Sequence, residues 1–291
     1  MLDITLAVTR ASKDYELLDS GDGEKLERYG NVVFRRPDPQ ALWAKSLNIQ
    51  EWNKAQASFN REGKKSDWNL KGNIPERWQI EFGNLKLWIR PTSFKHTGLF
   101  PEQLPNWDWM REKITATQRP VSVLNLFGYT GGASLAAAQA GASVVHVDGS
   151  KVAIQWGKDN AKASGLEEKP IRWILDDART FVKREIKRGN KYDGILLDPP
   201  AFGHGPKKEL WKIEDDLPEL LKLCTEILSD KPVFFLINGY ASGYSSIAYE
   251  NNLKQLLYKF DGNFEKGELA IEESKSGKLL PCGIFSRWSS D

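Results

Sequence analysis

The chain of 291 residues is short of the groups that would make its chemistry easy to name. It has two cysteines, Cys224 and Cys282, too far apart for a zinc cluster of usual spacing and too few for a disulfide framework. A reducing cytoplasm suits that scarcity. It has only three histidines, and no His, Cys or acidic cluster has metal-ligand spacing, so no metal is expected. No apolar run approaches the roughly 20 residues a membrane helix needs, and the N-terminus lacks a charged-then-apolar signal pattern. Neither sign of charge dominates: 41 basic against 39 acidic residues leave a net charge of +2. Any nucleic-acid contact must therefore come from a local basic face. Internal repeats and low-complexity tracts are absent as well.

What is there centres on residues 121–148. The run Val121-Ser122-Val123-Leu124-Asn125-Leu126 reads as a buried parallel strand. It turns through Phe127-Gly128-Tyr129-Thr130-Gly131-Gly132 into an alanine-rich helix, and a second apolar run ends on Asp148. Strand, glycine turn, helix, strand and carboxylate form the βαβ half of an open α/β sheet. The glycines let backbone amides approach a ligand at the helix N-terminus, and Asp148 can accept from both ribose hydroxyls of an adenosine. A P-loop would need Gly-Lys-Ser/Thr, which does not follow. Glycines at 128, 131 and 132 leave a dinucleotide and S-adenosylmethionine both open at this point.

Further strands are expected over Ile171–Leu175, Tyr192–Leu197 and Val233–Ile237. Helices are expected over roughly 103–117, 152–164, 179–188, 217–228 and 247–258. The segments Phe264–Ile271 and Leu279–Trp288 alternate like an antiparallel terminal hairpin. Residues 1–95 differ in character. Short apolar stretches separated by turn signals make a small β-rich domain, with Gly83-Asn84 a hairpin turn and a helix or two within Ala41–Phe59. The division expected is 1–95 and 96–291. Seven of the eleven tryptophans lie before residue 110. Either they form that domain's core, or they make an aromatic and basic surface for stacking bases. His96 is either a linker hydrogen-bonding group or a base, and His146 is core.

In an open α/β sheet, ligands bind in the crevice outside the carboxyl ends of the strands. Asn125, Asp148, Asp177 and Asp198 occupy four such ends. Asp148 suits the ribose and Asp177, beside Ala178, the adenine amino group, although either aspartate could instead cap the helix that follows. The most specific motif is Asp198-Pro199-Pro200-Ala201-Phe202. Consecutive prolines fix a rigid turn that aims one carboxylate and one carbonyl into the crevice, and Phe202 offers a face to a planar base.

With these residues in view, the stretch Thr97–Trp288 resembles the class I S-adenosylmethionine-dependent methyltransferases. More narrowly it is similar to the bacterial large-subunit ribosomal-RNA methyltransferases that carry Thr-Gly-x-x-x-x-Gln ahead of the sheet. The matching residues are Thr97-Gly98 with Gln103, Asn125 to Gly132, Asp148 with Ser150, Asp176-Asp177, and Asp198-Pro199-Pro200-x-Phe202. The resemblance implies a Rossmann-like class I methyltransferase sheet with a C-terminal antiparallel hairpin. It also implies S-adenosylmethionine held by Thr97, Gln103, Asn125, Phe127, Gly128, Tyr129, Thr130, Gly131, Asp148, Ser150, Asp177 and Ala178. Asp198, Pro199 and Phe202 would face a target base in RNA, with ribosomal RNA the expected partner and the cytoplasm the expected place.

Three departures stand out. Leu104 occupies the place of the arginine that usually follows the glutamine, and no PUA-type domain precedes the β-rich segment. The loop after the fifth strand, Asn238-Gly239-Tyr240-Ala241-Ser242-Gly243, has no cysteine. Carbon-5 methylation of cytosine needs a thiolate to add to the ring, so a base nitrogen becomes the expected acceptor. A protein side chain or small molecule as acceptor, and a non-catalytic binding module, are the alternatives.

Overall fold

A computed structural model describes residues 3–62, 65–93, 95–240 and 243–290. In the N-terminal third, β1 (Thr5–Thr9) precedes the antiparallel run β2 (Tyr15–Gly21), β3 (Glu24–Tyr29) and β4 (Val32–Pro37). A four-residue helix α1 (Ile49–Trp52) follows, then the hairpins β5 (Ala57–Glu62) with β6 (Lys65–Leu70) and β7 (Trp78–Phe82) with β8 (Leu85–Ile89). The expected Gly83-Asn84 turn is present, with both residues at positive φ, 56° and 61°, as a two-residue hairpin loop requires. Segment 41–59 is mostly non-helical because a distant strand claims it. Asp19 accepts from Ser46 N, Leu47 N and the Trp52 indole at 3.2, 2.8 and 2.8 Å. Trp43, Trp68 and Trp78 also donate their indole N–H to backbone carbonyls of this region. Trp52 is fully buried and the other three are half-buried, each with its polar handle satisfied.

The second part alternates strand and helix. It runs α2 (Leu104–Ala116), β9 (Ser122–Leu126), α3 (Gly132–Gln139), β10 (Ser143–Asp148), α4 (Lys151–Ala163), β11 (Ile171–Leu175), α5 (Ala178–Arg188) and β12 (Gly194–Leu197). After a short hairpin, β13 (Phe202–His204) and β14 (Leu210–Lys212), come α6 (Ile213–Glu226), β15 (Phe234–Gly239), α7 (Ser246–Leu257), β16 (Asn263–Glu272) and β17 (Leu279–Ser289). The main sheet has the order β1-β16-β17-β15-β12-β9-β10-β11. Its pairs β10/β11, β10/β9, β12/β9 and β12/β15 are parallel, and β17 runs antiparallel to β15. The direction of chain traverse reverses across β9, between β10 and β12, which is where a ligand crevice opens. One face is closed by Phe181, Val182, Leu220, Leu221, Leu253 and Trp288, all nearly inaccessible.

Two compact units result: 7–105 with 269–282, and 1–6 with 106–268 and 283–291. The division thus falls ten residues later than residue 95, and the tip of the terminal hairpin joins the β-rich unit. The reason is hydrogen bonding within that unit. Thr9 Oγ1 donates to the Pro101 carbonyl at 2.9 Å. The buried Glu273 carboxylate accepts from Ser20 N at 2.9 Å and from Ser20 Oγ, and Glu273 bridges Leu17 as a parallel strand pair. Ala241 and Ser242 of the cysteine-free loop lie outside the described residues. Among the described residues, no helix is long and apolar enough to cross a membrane.

Candidate functional site

The turn after β9 is held in a costly backbone. Phe127 and Tyr129 adopt left-handed conformations, φ 58° and 48°, which non-glycine residues rarely take. Gly128 sits over the imidazole of His146: a Cβ there would come within 2.4 Å of the ring. At Gly132 a Cβ would meet the Trp107 ring, also at 2.4 Å. The glycines are therefore demanded by what lies beneath the turn as well as by any ligand above it. The floor is a buried polar chain. Asn125 Nδ2 donates to Ser134 Oγ at 2.8 Å, and Ser134 Oγ lies 2.9 Å from His146 Nδ1. Burial pushes His146 down to about 3, so it is neutral at physiological pH. Asn125 thus spends its amide on the floor of the turn. Above it, Gly131 (φ 89°) begins α3 with no side chain capping the helix, whereas Ser150, Asp177 and Ser245 cap α4, α5 and α7. The first-turn amides of α3 are the uncapped end of a helix dipole, suited to an anionic group.

Asp148 closes β10 with both oxygens engaged by backbone. Oδ2 accepts from Tyr129 N and Oδ1 from Ser150 N, each at 2.8 Å. Burial raises its pKa, and these two amides act against the rise. Each oxygen keeps a further lone-pair direction, so a vicinal pair of hydroxyls is the matching donor. The residues present fit the ribose of S-adenosylmethionine on that ground. Asp177 is the N-cap of α5: Oδ1 accepts from Thr180 N at 2.9 Å, and Oδ2 lies 3.6 Å from Arg179. Ala178 follows it, buried. Ser150 caps α4 through Ala153 N at 3.2 Å. Phe127 turns its ring onto Trp211 (centroids 4.9 Å), Tyr129 leans toward Trp156, and the Thr130 carbonyl accepts from Asn160 at 2.9 Å.

Asp198, after β12, is the opposite case. No described residue donates to its carboxylate or to the Pro199 carbonyl. Burial alone pushes the acid up to about 6. The next carbonyl, that of Pro200, is taken by the Trp211 indole at 2.7 Å, and Ile213 N donates to Ala201 O at 3.0 Å. The turn leads straight into the β13–β14 hairpin, where Phe202 is 57% exposed. Sequence pattern does not announce that hairpin, with Trp211 and Arg179 beneath it, because three-residue strands around a glycine-bearing tip have no readable alternation. Thr97 and Gln103 belong to the β-rich unit, Thr97 fully buried with its carbonyl accepting from Arg90 N at 3.2 Å. The other expected residues all belong to the sheet unit.

The family model for S-adenosylmethionine-dependent methyltransferases matches residues 37–249. The chain belongs to this family. Its methyl donor is therefore S-adenosylmethionine. A crystal structure of a SAM-dependent methyltransferase from Agrobacterium tumefaciens is 40% identical, with TM-score 0.95 over 99% of this chain and 94% of that one. Among curated relatives, ribosomal RNA large subunit methyltransferase K/L of Syntrophotalea carbinolica is 30% identical over 57% of this chain and 22% of its own. Ribosomal RNA large subunit methyltransferase K of Neisseria meningitidis is 24% identical over 76% of this chain and 64% of its own. The chain thus spans between a fifth and two thirds of the curated relatives it matches.

Proposed function

We propose that the chain methylates a base nitrogen in RNA, most naturally ribosomal RNA, without a cysteine nucleophile. The observation that carries this reading is the Asp198 carboxylate: half-buried, without a donor among the described residues, next to a Pro199 carbonyl that also receives none, and ahead of an exposed aromatic ring. Two acceptors on adjacent residues suit the two hydrogens of an exocyclic amino group. Phe202 suits the face of a base turned out of its stack. Bound S-adenosylmethionine supplies an electrophilic methyl group, and what this chain adds is positioning at roughly 3–3.5 Å. Asp198 orients the nitrogen lone pair. Once the nitrogen has gained carbon it must lose a proton, and a carboxylate ionised above about pH 6 can take it.

For the donor we assign Phe127, Gly128, Tyr129, Thr130, Gly131, Asp148, Ser150, Asp177 and Ala178. Asn125 supports them from beneath, and Thr97 and Gln103 come from the resemblance. Both thiols argue for a nitrogen rather than a ring carbon. Cys224 and Cys282 are buried and burial pushes each well above an ordinary thiol, so neither is a ready thiolate. The names of the curated relatives support RNA as acceptor, and a cytoplasmic location goes with it. The test is incubation with labelled methyl donor and RNA from cells lacking the chain, followed by nucleoside mass mapping. An N-methylated nucleoside is expected. Label appearing only in protein, or as 5-methylcytidine, would overturn the reading.

A further inference from the structure

The hairpin that follows Asp-Pro-Pro has two unlike faces. Register pairs Phe202 with Lys212, Gly203 with Trp211 and His204 with Leu210. Cross-strand partners share a face, so Gly203 and Trp211 point one way, and Phe202, His204, Leu210 and Lys212 the other. The first face is interior: Trp211 is buried, packs on Phe127 and holds the Pro200 carbonyl. The second is open, with Phe202 57% and Leu210 46% exposed and His204 exposed beside them. The Phe202 and His204 rings meet edge to face, 5.2 Å between centroids.

A two-stranded ribbon of three residues per strand is not stable alone, yet this one is fastened at several points. Arg179 ion-pairs with Asp216, donates to the Leu210 carbonyl at 2.7 Å and lies 5.8 Å over the Trp211 ring. At the tip, Gly205 N donates to Glu209 O at 2.8 Å. The backbone of His204 and Gly205 lies where a Cβ on Gly149 would touch it, at 3.3 and 3.4 Å. The charge of the hairpin is one-sided. Lys207, Lys208 and Lys212 are its cations, Lys212 lying 3.8 Å from Asp215 just beyond the hairpin, and its single acid, Glu209, is turned back onto Lys207 N at 2.8 Å.

We infer that the open face of the β13–β14 hairpin is the seat of the nucleotide next to the target in a single-stranded RNA. His204 and Leu210 take the flanking base, and Lys207, Lys208 and Lys212 take the phosphates. The inference rests on the RNA reading above and extends it: the acceptor is a strand, recognised across at least two bases. A duplex keeps its bases stacked and does not present those faces.

The probe is a fluorescein-labelled single-stranded oligoribonucleotide of about 12 nucleotides, within the span of such sites, and the same RNA annealed to its complement. Wild type should bind the single strand at least roughly tenfold more tightly, as expected when unstacked bases supply the binding energy. His204→Ala with Leu210→Ser should lose about tenfold of that affinity and raise the KM for RNA. The melting temperature, donor affinity and kcat at saturating RNA should stay at wild type. Replacing Lys207, Lys208 and Lys212 with Gln should flatten the salt dependence of binding by about 0.7 for each phosphate that is no longer neutralised. Single-strand affinity of the His204/Leu210 variant within twofold of wild type overturns the inference while leaving RNA methylation standing. So does equal affinity for the duplex. Loss of a concentration-dependent self-association in that variant, with RNA binding intact, would show that the face covers a second copy instead. If wild type binds neither RNA form, the RNA reading and this one fall together.

Discussion

Asp148 ends β10 and Asp198 follows β12, the two strands that flank β9. The first carboxylate receives two backbone amides at 2.8 Å; the second receives nothing from any described residue. Both are raised by burial, Asp198 to about 6, while at Asp148 the two amides act against the rise. In the proposed reading the same residue type, at the same end of one sheet, serves two kinds of ligand. Asp148 is fixed in place and needs only hydroxyls to complete it. Asp198 is left expensive until something with spare protons arrives, and that cost is what can be converted into selectivity for the acceptor.

The sharpest way to break this comparison is to remove Asp198. Asp198→Ala should lower methyl transfer by about 10²–10³-fold in kcat, the range for a lost orienting or proton-accepting group. Its affinity for S-adenosylmethionine should stay within about twofold. Single-turnover methylation beside donor titration measures both, and normal turnover would mean that the Asp-Pro-Pro turn is only a stiff loop. Asp148→Ala should do the reverse, weakening donor binding by roughly 10–150-fold per lost hydrogen bond to charge, 1.5–3 kcal/mol each. Unchanged calorimetric affinity in that variant would remove Asp148 from the donor site.

The pH dependence separates the two further. A folded-state value of about 6 lies above the ordinary 3.8 for Asp198, so the folded protein holds this proton more tightly than the unfolded chain does. Its contribution is fully present below about pH 4 and is lost as pH rises through 6. Asp198→Asn should therefore be more stable than wild type at pH 8, by roughly 2–3 kcal/mol at most, and no more stable at pH 4. Methyl transfer by wild type should climb through about pH 6 and then level. Denaturant melts of Asp198→Asn that match wild type at every pH would remove the buried charge from the account. The smallest effects belong to the cysteines. Cys224→Ser and Cys282→Ser should each keep transfer, with a packing loss of about 1–2 kcal/mol from a buried hydroxyl. A covalent RNA adduct with either thiol would restore the thiolate route.

Much of this is legible in residue order. The run Val121–Asp148 announces its βαβ unit because a buried parallel strand, a glycine turn and an alanine helix each leave a local signature. The aspartates at the strand ends can be read for the same reason. What stays hidden depends on distant partners. Nothing near Asn125 says that its amide is spent on Ser134, and nothing near segment 41–59 says that Asp19 will hold it open. Pro218 suggests a helix beginning at Leu217, yet α6 begins at Ile213. Acidic Glu214, Asp215 and Asp216 in the first turn, with Asp216 accepting from Lys212 N at 2.8 Å, anchor that earlier start.

Glu273 has a consequence in time rather than in space. Residues 7–105 leave the ribosome first, but their unit includes 269–282, and the bond from Ser20 to Glu273 spans 253 residues. At about 5–20 residues per second, the early strands wait on the order of tens of seconds for the segment that completes them. During that interval the backbone around Leu17, which later bridges Glu273, is an unpaired strand edge in a crowded cell. This is the stage at which a nascent chain is most open to wrong pairing and to chaperones. The slow step in completing this unit is then the arrival of residues 269–282, and its yield should follow the speed of translation through that segment.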